Sequence, residues 1–143
     1  MADLAIIIPT LDRTEFLKRS MRWYSRPECH HLQVIVVDST PDGNRRSIHD
    51  KIVQGREQEA GGRTKYFETP DYYDDRTNTS AFGRALELGG EYAYKNGSEY
   101  IMHAGDDDFV IPEGIGACVR KVKDAPSSVV GCVGARMRFG MTG

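Results

Sequence analysis

The sequence predicts an α/β fold, a mostly parallel sheet with helices on both faces. Two observations predict it. Short continuous apolar runs rich in β-branched residues recur along the chain, as strands buried on both faces require. Segments with helical spacing separate those runs, and strand–helix alternation builds parallel sheets. The 143 residues are enough for a single domain with one core, expected to span 1–143.

"LAIIIP", Leu4 to Pro9, is the first apolar run, and Pro9 ends it. Asp12, followed three residues on by Glu15, resembles a capping box that opens a helix. Phe16, Leu17, Met21 and Tyr24 then recur at helical spacing, and Pro27 marks the stop. "LQVIVVD", Leu32 to Asp38, is a second buried-type strand, and "STPDGN" after it is a dense turn signal. Arg45 to Gln58 is polar and predicts a solvated helix, broken by Gly61-Gly62. Thr64 to Thr69 predicts a third strand, and "PDYYDDRTNTS" a polar loop.

"AFGRALELGGEYAYKNG" predicts a helix with Phe82, Leu86, Leu88, Tyr92 and Ala93 facing inward. The Gly89-Gly90 pair weakens it, and Asn96-Gly97 stops it. "EYIMHA" is a fourth strand, with three aspartates, Asp106 to Asp108, at its carboxyl end. Pro112 suits the first turn of a helix running to Lys123. "SSVVGCVGARMRF" predicts a fifth strand.

Composition narrows the function classes. Charged residues are 28%, hydrophobic residues 39%, and the net charge is −2. No global basic field exists to attract nucleic acid or a membrane surface. No apolar run reaches the ~18 residues of a membrane span. The N-terminus lacks the basic segment and long apolar run of a signal peptide. The cytoplasm is therefore the expected compartment. Cys29, Cys118 and Cys132 are too widely spaced for a disulfide framework or a zinc pattern, and are expected to be reduced, mostly buried thiols.

Ligands of parallel sheets bind outside the carboxyl ends of the strands. Pro9 to Asp12, Asp38, and Asp106 to Asp108 all fall at such ends. A run of aspartates is ordinarily a solvated turn, with Asp108 a helix cap. At a strand end, crowded carboxylates also suit Mg²⁺ or Mn²⁺, which take hard oxygen ligands. Such an ion bridges a diphosphate and stabilises a departing phosphate oxygen. Asp38 is either a turn-initiating residue or an acceptor for the N–H and O–H donors of a nucleoside. Arg84 and Arg76 are surface charges, or forks for a diphosphate. His103 is expected to be a satisfied core histidine. No Walker loop, dinucleotide fingerprint or Gly-x-Ser-x-Gly elbow is present.

"LAIIIPTLDRTEFLKRSM", "LQVIVVDST" and "YIMHAGDDDFVIPEGI" together resemble the signature segments of family 2 glycosyltransferases. The resemblance covers about the first 115 residues. It implies a Rossmann-like GT-A fold and inverting transfer of a sugar from a nucleoside diphosphate, with UDP the expected nucleotide, to an acceptor hydroxyl. It implies Mn²⁺ or Mg²⁺ as cofactor. Pro9, Thr10, Leu11 and Asp12 would frame the base, Asp38 would hydrogen-bond it, and Arg84 would approach the diphosphate. Asp106 would serve the ribose, Asp107 the metal, and Asp108 the metal or the following helix. The family's Asp-x-Asp motif begins at the position of Gly105, so the motif here is Asp-x-Asp-like. No residue matches the family's catalytic base, which lies in a C-terminal part expected to be missing. A non-catalytic or truncated nucleotide-sugar-binding module is the alternative. A flavodoxin-like phosphoacceptor domain fits less well, because its acidic residues would follow the first strand and its phosphoacceptor the third.

Overall fold

The computed structural model describes residues 4–61, 63–72, 80–128 and 131. Arg76 and the predicted fifth strand lie outside the described residues, apart from residues 127, 128 and 131. The chain divides into two compact units, Met1–Phe109 and Val110–Gly143.

The first unit holds strands β1 (Leu4–Thr10), β2 (Gln33–Asp38), β3 (Thr64–Glu68) and β4 (Tyr100–His103), with helices α1 (Thr14–Tyr24), α2 (Gly43–Ala60) and α3 (Ser80–Lys95). The strands form one sheet, all parallel, in the order β3-β2-β1-β4. The chain builds outward from β1 through β2 and β3, then returns to place β4 on the other side of β1. That reversal makes the carboxyl ends of β1 and β4 the topological switch point, where such sheets open a crevice.

β1 and β2 are central, so both faces of each are covered. Ile6, Ile7, Ile8 and Val34 to Val37 are fully buried. Each contributes on the order of 1.5–3 kcal/mol relative to an exposed side chain. Ala5, Ile7, Ile35 and Val37 form one core with Ala85 and Ala93 of α3. On the opposite face α2 packs on β2 and β3, and α1 packs on α2.

The inner face of α3 is Ala85, Gly89 and Ala93, with Leu86, Leu88 and Tyr92 partly buried beside it and Phe82 exposed. Gly89 has a packing reason to be glycine. A Cβ there would lie 2.7 Å from Ile7 Cγ2, so the missing side chain lets α3 approach β1. Gly97, at φ 83°, takes the left-handed turn that follows the helix.

Two expectations about helices are corrected. Asp12 is not a cap. Arg13 holds the N-cap position of α1, which has no side-chain cap hydrogen bond. Asp12 instead sits at φ 54°, a left-handed conformation that Asp tolerates. Nor is α2 simply solvated. Its polar sequence hides a buried stripe, His49, Val53 and Arg56, spaced four and three residues apart as a helix face requires. Arg56 donates to the carbonyls of Tyr24, Cys29, Leu32 and Arg63 and to Thr64 Oγ1. Burial pulls its guanidinium down to about 10.

The described helix of the second unit is α4 (Pro112–Asp124), with Pro112 in its first turn. Its N-cap is Ile111, without a side-chain cap. Asp108 therefore does not cap it; the Asp108 carboxylate accepts from Gly105 N–H at 3.2 Å.

Candidate functional site

Three loops leave the carboxyl ends of β1, β2 and β4, and hydrogen bonds tie them together. Ser39 N–H donates to Thr10 O at 3.0 Å, which joins the first two loops. Asp12 N–H donates to Thr40 Oγ1 at 2.9 Å. Arg45 at the start of α2 pairs with Asp12 Oδ1 at 3.1 Å. The β1 loop is thus held between the other two.

The β4 loop is fixed from β1 and α1. Thr10 Oγ1 donates to Asp106 Oδ2 at 2.9 Å. Ser20 Oγ donates to the Asp106 carbonyl. Arg13 spans two carboxylates, with Nη1 3.0 Å from Asp106 Oδ1 and Nη2 3.2 Å from Asp107 Oδ2. The Asp106 side chain is 4% exposed and that of Asp107 is 48% exposed. Burial pushes the Asp106 carboxyl above its ordinary value, against the opposing pull of Thr10 and Arg13. Trp23 of α1 packs on Phe109 at 5.2 Å between ring centroids, at the loop's exit.

Gly105 shapes the acidic group. A Cβ on it would lie 2.8 Å from Asp107 Oδ1 and 2.9 Å from Asp108 Oδ2. A side chain at this position would therefore collide with both carboxylates, and Asp108 Oδ2 is held there by the Gly105 N–H. Among the described residues, no three or more His, Cys, Asp or Glu form a group able to hold a metal ion. Mg²⁺ commonly takes one or two protein carboxylates, with its other ligands from phosphate and water.

Asp38 lies on the same edge but faces inward. It is fully buried. Its Oδ1 accepts from Thr40 N–H at 2.9 Å. Its Oδ2 accepts from His49 Nδ1 at 2.7 Å and from Tyr66 O–H at 2.6 Å. Burial and the Asp38 carboxylate push the Tyr66 phenol far above its ordinary value, so it stays a donor. His49 Nε2 lies 2.8 Å from Thr14 Oγ1. With Nδ1–H committed to Asp38, a neutral ring accepts at Nε2 and Thr14 donates. Asp38 thereby ties β2 to α2, β3 and the start of α1.

The structure therefore brings Thr10, Asp106 and Asp107 into direct contact or through one guanidinium, with Asp108 beside Asp107. Pro9 and Leu11 are partly exposed on the β1 strand end and loop. Arg84 is not joined to this group: it lies over the Tyr72 ring at 5.7 Å and makes no ion pair among the described residues. His103 is exposed, not in the core, and packs edge-on against Phe82. Sequence reasoning missed Arg13, His49 and Tyr66. The helical spacing of His49, Val53 and Arg56 was the available signal for His49. Nothing local pointed to Arg13, whose partners are more than ninety positions away.

No family model matches the chain, and no curated protein matches it. Among solved structures, it is similar to TarS from S. aureus, a glycosyltransferase, at 14% identity and a TM-score of 0.52. The match covers 85% of this chain and 20% of TarS. The fold is glycosyltransferase-like. The chain spans about a fifth of TarS, and at this identity the likeness carries the fold alone. No helix among the described residues is long and apolar enough to cross a membrane.

Proposed function

We propose that this chain is the donor-binding part of a metal-dependent glycosyltransferase of family 2 type. It takes a nucleoside-diphosphate sugar, with UDP the nucleotide, and serves inverting transfer to an acceptor hydroxyl. The observation that carries this reading is the acidic group at the switch point, where Asp106 is locked to β1 by Thr10 and Asp107 stands exposed beside it. A glycosyltransferase-like fold supports it. The cytoplasm is the compartment this reading assumes.

In this reading Pro9, Thr10, Leu11 and Asp12 frame the base, and Asp106 takes the ribose. Asp107 and Asp108 hold Mn²⁺ or Mg²⁺, which when bound neutralises the diphosphate and stabilises its departure. Arg84 reaches the diphosphate only if the donor extends towards α3. Asp38 has a different role from the base contact that the family resemblance implies. It is fully buried and already accepts from Thr40, His49 and Tyr66, so in this reading it orients the loop that meets the nucleotide. A general base must take the proton from the acceptor hydroxyl, and this chain offers no candidate at the described site.

Calorimetry with UDP and Mn²⁺ tests the reading. Binding is expected in the wild type and absent in Asp107→Ala. No binding, or equal binding in both, overturns it. A second reading, a binding module without catalysis, is favoured by Gly105, which stands where the family motif has its first Asp. It predicts UDP-sugar binding without released UDP.

A further inference from the structure

We infer that the outward side of α1 is a docking surface for an anionic lipid bilayer. The inference goes beyond the donor-site reading and does not rest on it. The net charge of −2 hides an uneven distribution. From Arg13 to Cys29 the basic residues are Arg13, Lys18, Arg19, Arg22 and Arg26, against Glu15 and Glu28. Arg13 is committed to Asp106 and Asp107, and Lys18 to Glu15. Arg19, Arg22 and Arg26 form no ion pair among the described residues. α1 buries Leu17, Ser20, Met21 and Tyr24, so its opposite side carries this charge. Arg19 and Arg22, three positions apart, share that side, and Arg26 follows just past the helix end.

Aromatic rings flank the charge. Phe16 is 38% exposed and Phe109 46%, and the half-buried Trp23 packs on Phe109. The Arg26 guanidinium lies 3.5 Å from the Trp23 ring centroid. Those of Arg13 and Arg19 lie over Phe16 at 4.2 and 5.7 Å. These pairings favour one kind of anionic partner. Single-stranded nucleic acid stacks its bases on aromatic faces, and here a base would have to displace an arginine. A bilayer interface sets phosphate oxygens next to acyl carbon, and suits basic side chains beside Trp and Phe on one helix. A guanidinium stacked on a ring offers N–H groups to the phosphates while the ring meets the acyl chains. Basic charge or a single apolar anchor alone holds such a surface weakly, and α1 carries both.

Trp23 is the single tryptophan of the chain, so its fluorescence reports the contact directly. Vesicles of phosphatidylcholine with about 30% phosphatidylglycerol supply the anionic surface, and pure phosphatidylcholine the neutral control. The wild type is expected to float with the anionic vesicles and to shift its Trp23 emission to the blue. Binding is expected to fall about tenfold between about 0.05 and about 0.5 M NaCl, as exposed charges are screened. Arg19→Ala and Arg22→Ala are each expected to weaken it about fivefold, the share of one arginine near an anionic surface. Both side chains are exposed, so folding is expected to survive either change. Lys95→Ala removes the same charge from α3, on the other face of the sheet, and is expected to change nothing. No binding to anionic vesicles, equal binding to neutral ones, or a Lys95 variant as weak as Arg22→Ala overturns the inference. Capture by soluble polyphosphate without vesicle binding also overturns it, in favour of an extended polyanion. Each of these failures leaves UDP binding, and with it the donor-site reading, untouched.

Discussion

Asp38→Ala removes a carboxylate with no exposed surface and orphans its three donors, Thr40 N–H, His49 Nδ1–H and Tyr66 O–H. A buried donor left without a partner costs about 1–3 kcal/mol. Two of the three have partial escapes. Tyr66 O–H also reaches the Arg46 carbonyl at 3.1 Å, and His49 can move its proton to Nε2 and donate to Thr14. Thr40 N–H has no such alternative and is buried. The expected loss is therefore about 3–5 kcal/mol, a large part of the roughly 5–15 kcal/mol of a typical domain. Asp38→Asn keeps one acceptor for Thr40 and turns an amide towards His49 and Tyr66, which can both adjust. Its expected loss is smaller, about 1–2 kcal/mol. Urea denaturation followed by Trp23 fluorescence at pH 7 measures both. A loss below about 0.5 kcal/mol for Asp38→Ala, the range of an ordinary surface change, refutes the reasoning, because the carboxylate would then be free of its partners. A stable Asp38→Asn variant that has lost UDP binding would instead return Asp38 to direct contact with the nucleotide.

Gly89→Ala drives a methyl group to 2.7 Å from Ile7 Cγ2. Overpacking of this kind costs about 1–3 kcal/mol, more than alanine's better helix propensity returns; a thermal melt that rises would contradict it. Cys29 is buried, and burial pushes its thiol above the ordinary value, only partly offset by Arg26. With the folded value raised, its contribution is intact below the ordinary thiol range of about 8.5. It declines above that range, where only the unfolded thiol ionises. Cys29→Ala is expected to flatten the loss of stability between pH 8 and pH 10, as read from urea midpoints, and an unchanged slope counts against the burial argument.

Much of the fold was legible in the amino-acid sequence because burial is a property of each residue. Ile6 to Ile8 and Val34 to Val37 have only one favourable place, between two covering layers, so both central strands could be read from composition. Gly97 and Pro112 announce a turn and a helix start through their own backbone limits. The alternation of strands and helices then fixed the parallel sheet and the edge on which its loops gather.

Polar residues were misread because their meaning lies in partners. Asp12 had the spacing of a cap, yet Thr40 and Arg45 claim its backbone and side chain. The α2 helix was written in polar letters, and only packing against β2 and β3 shows that His49 and Arg56 face inward. Asp38 was placed on the correct edge, but its direction depends on His49 and Tyr66, eleven and twenty-eight positions away. Arg13 meets Asp106 and Asp107 only because β4 returns to the side of β1. The sequence by itself determined which segments are strands and helices, and that acidic groups collect at one sheet edge. Tertiary structure alone decided which carboxylate is sealed, which is open, and which cation holds them. The physical reason is that hydrophobic burial needs no particular partner, whereas a hydrogen bond or ion pair acts only across a few ångströms, set by chain topology.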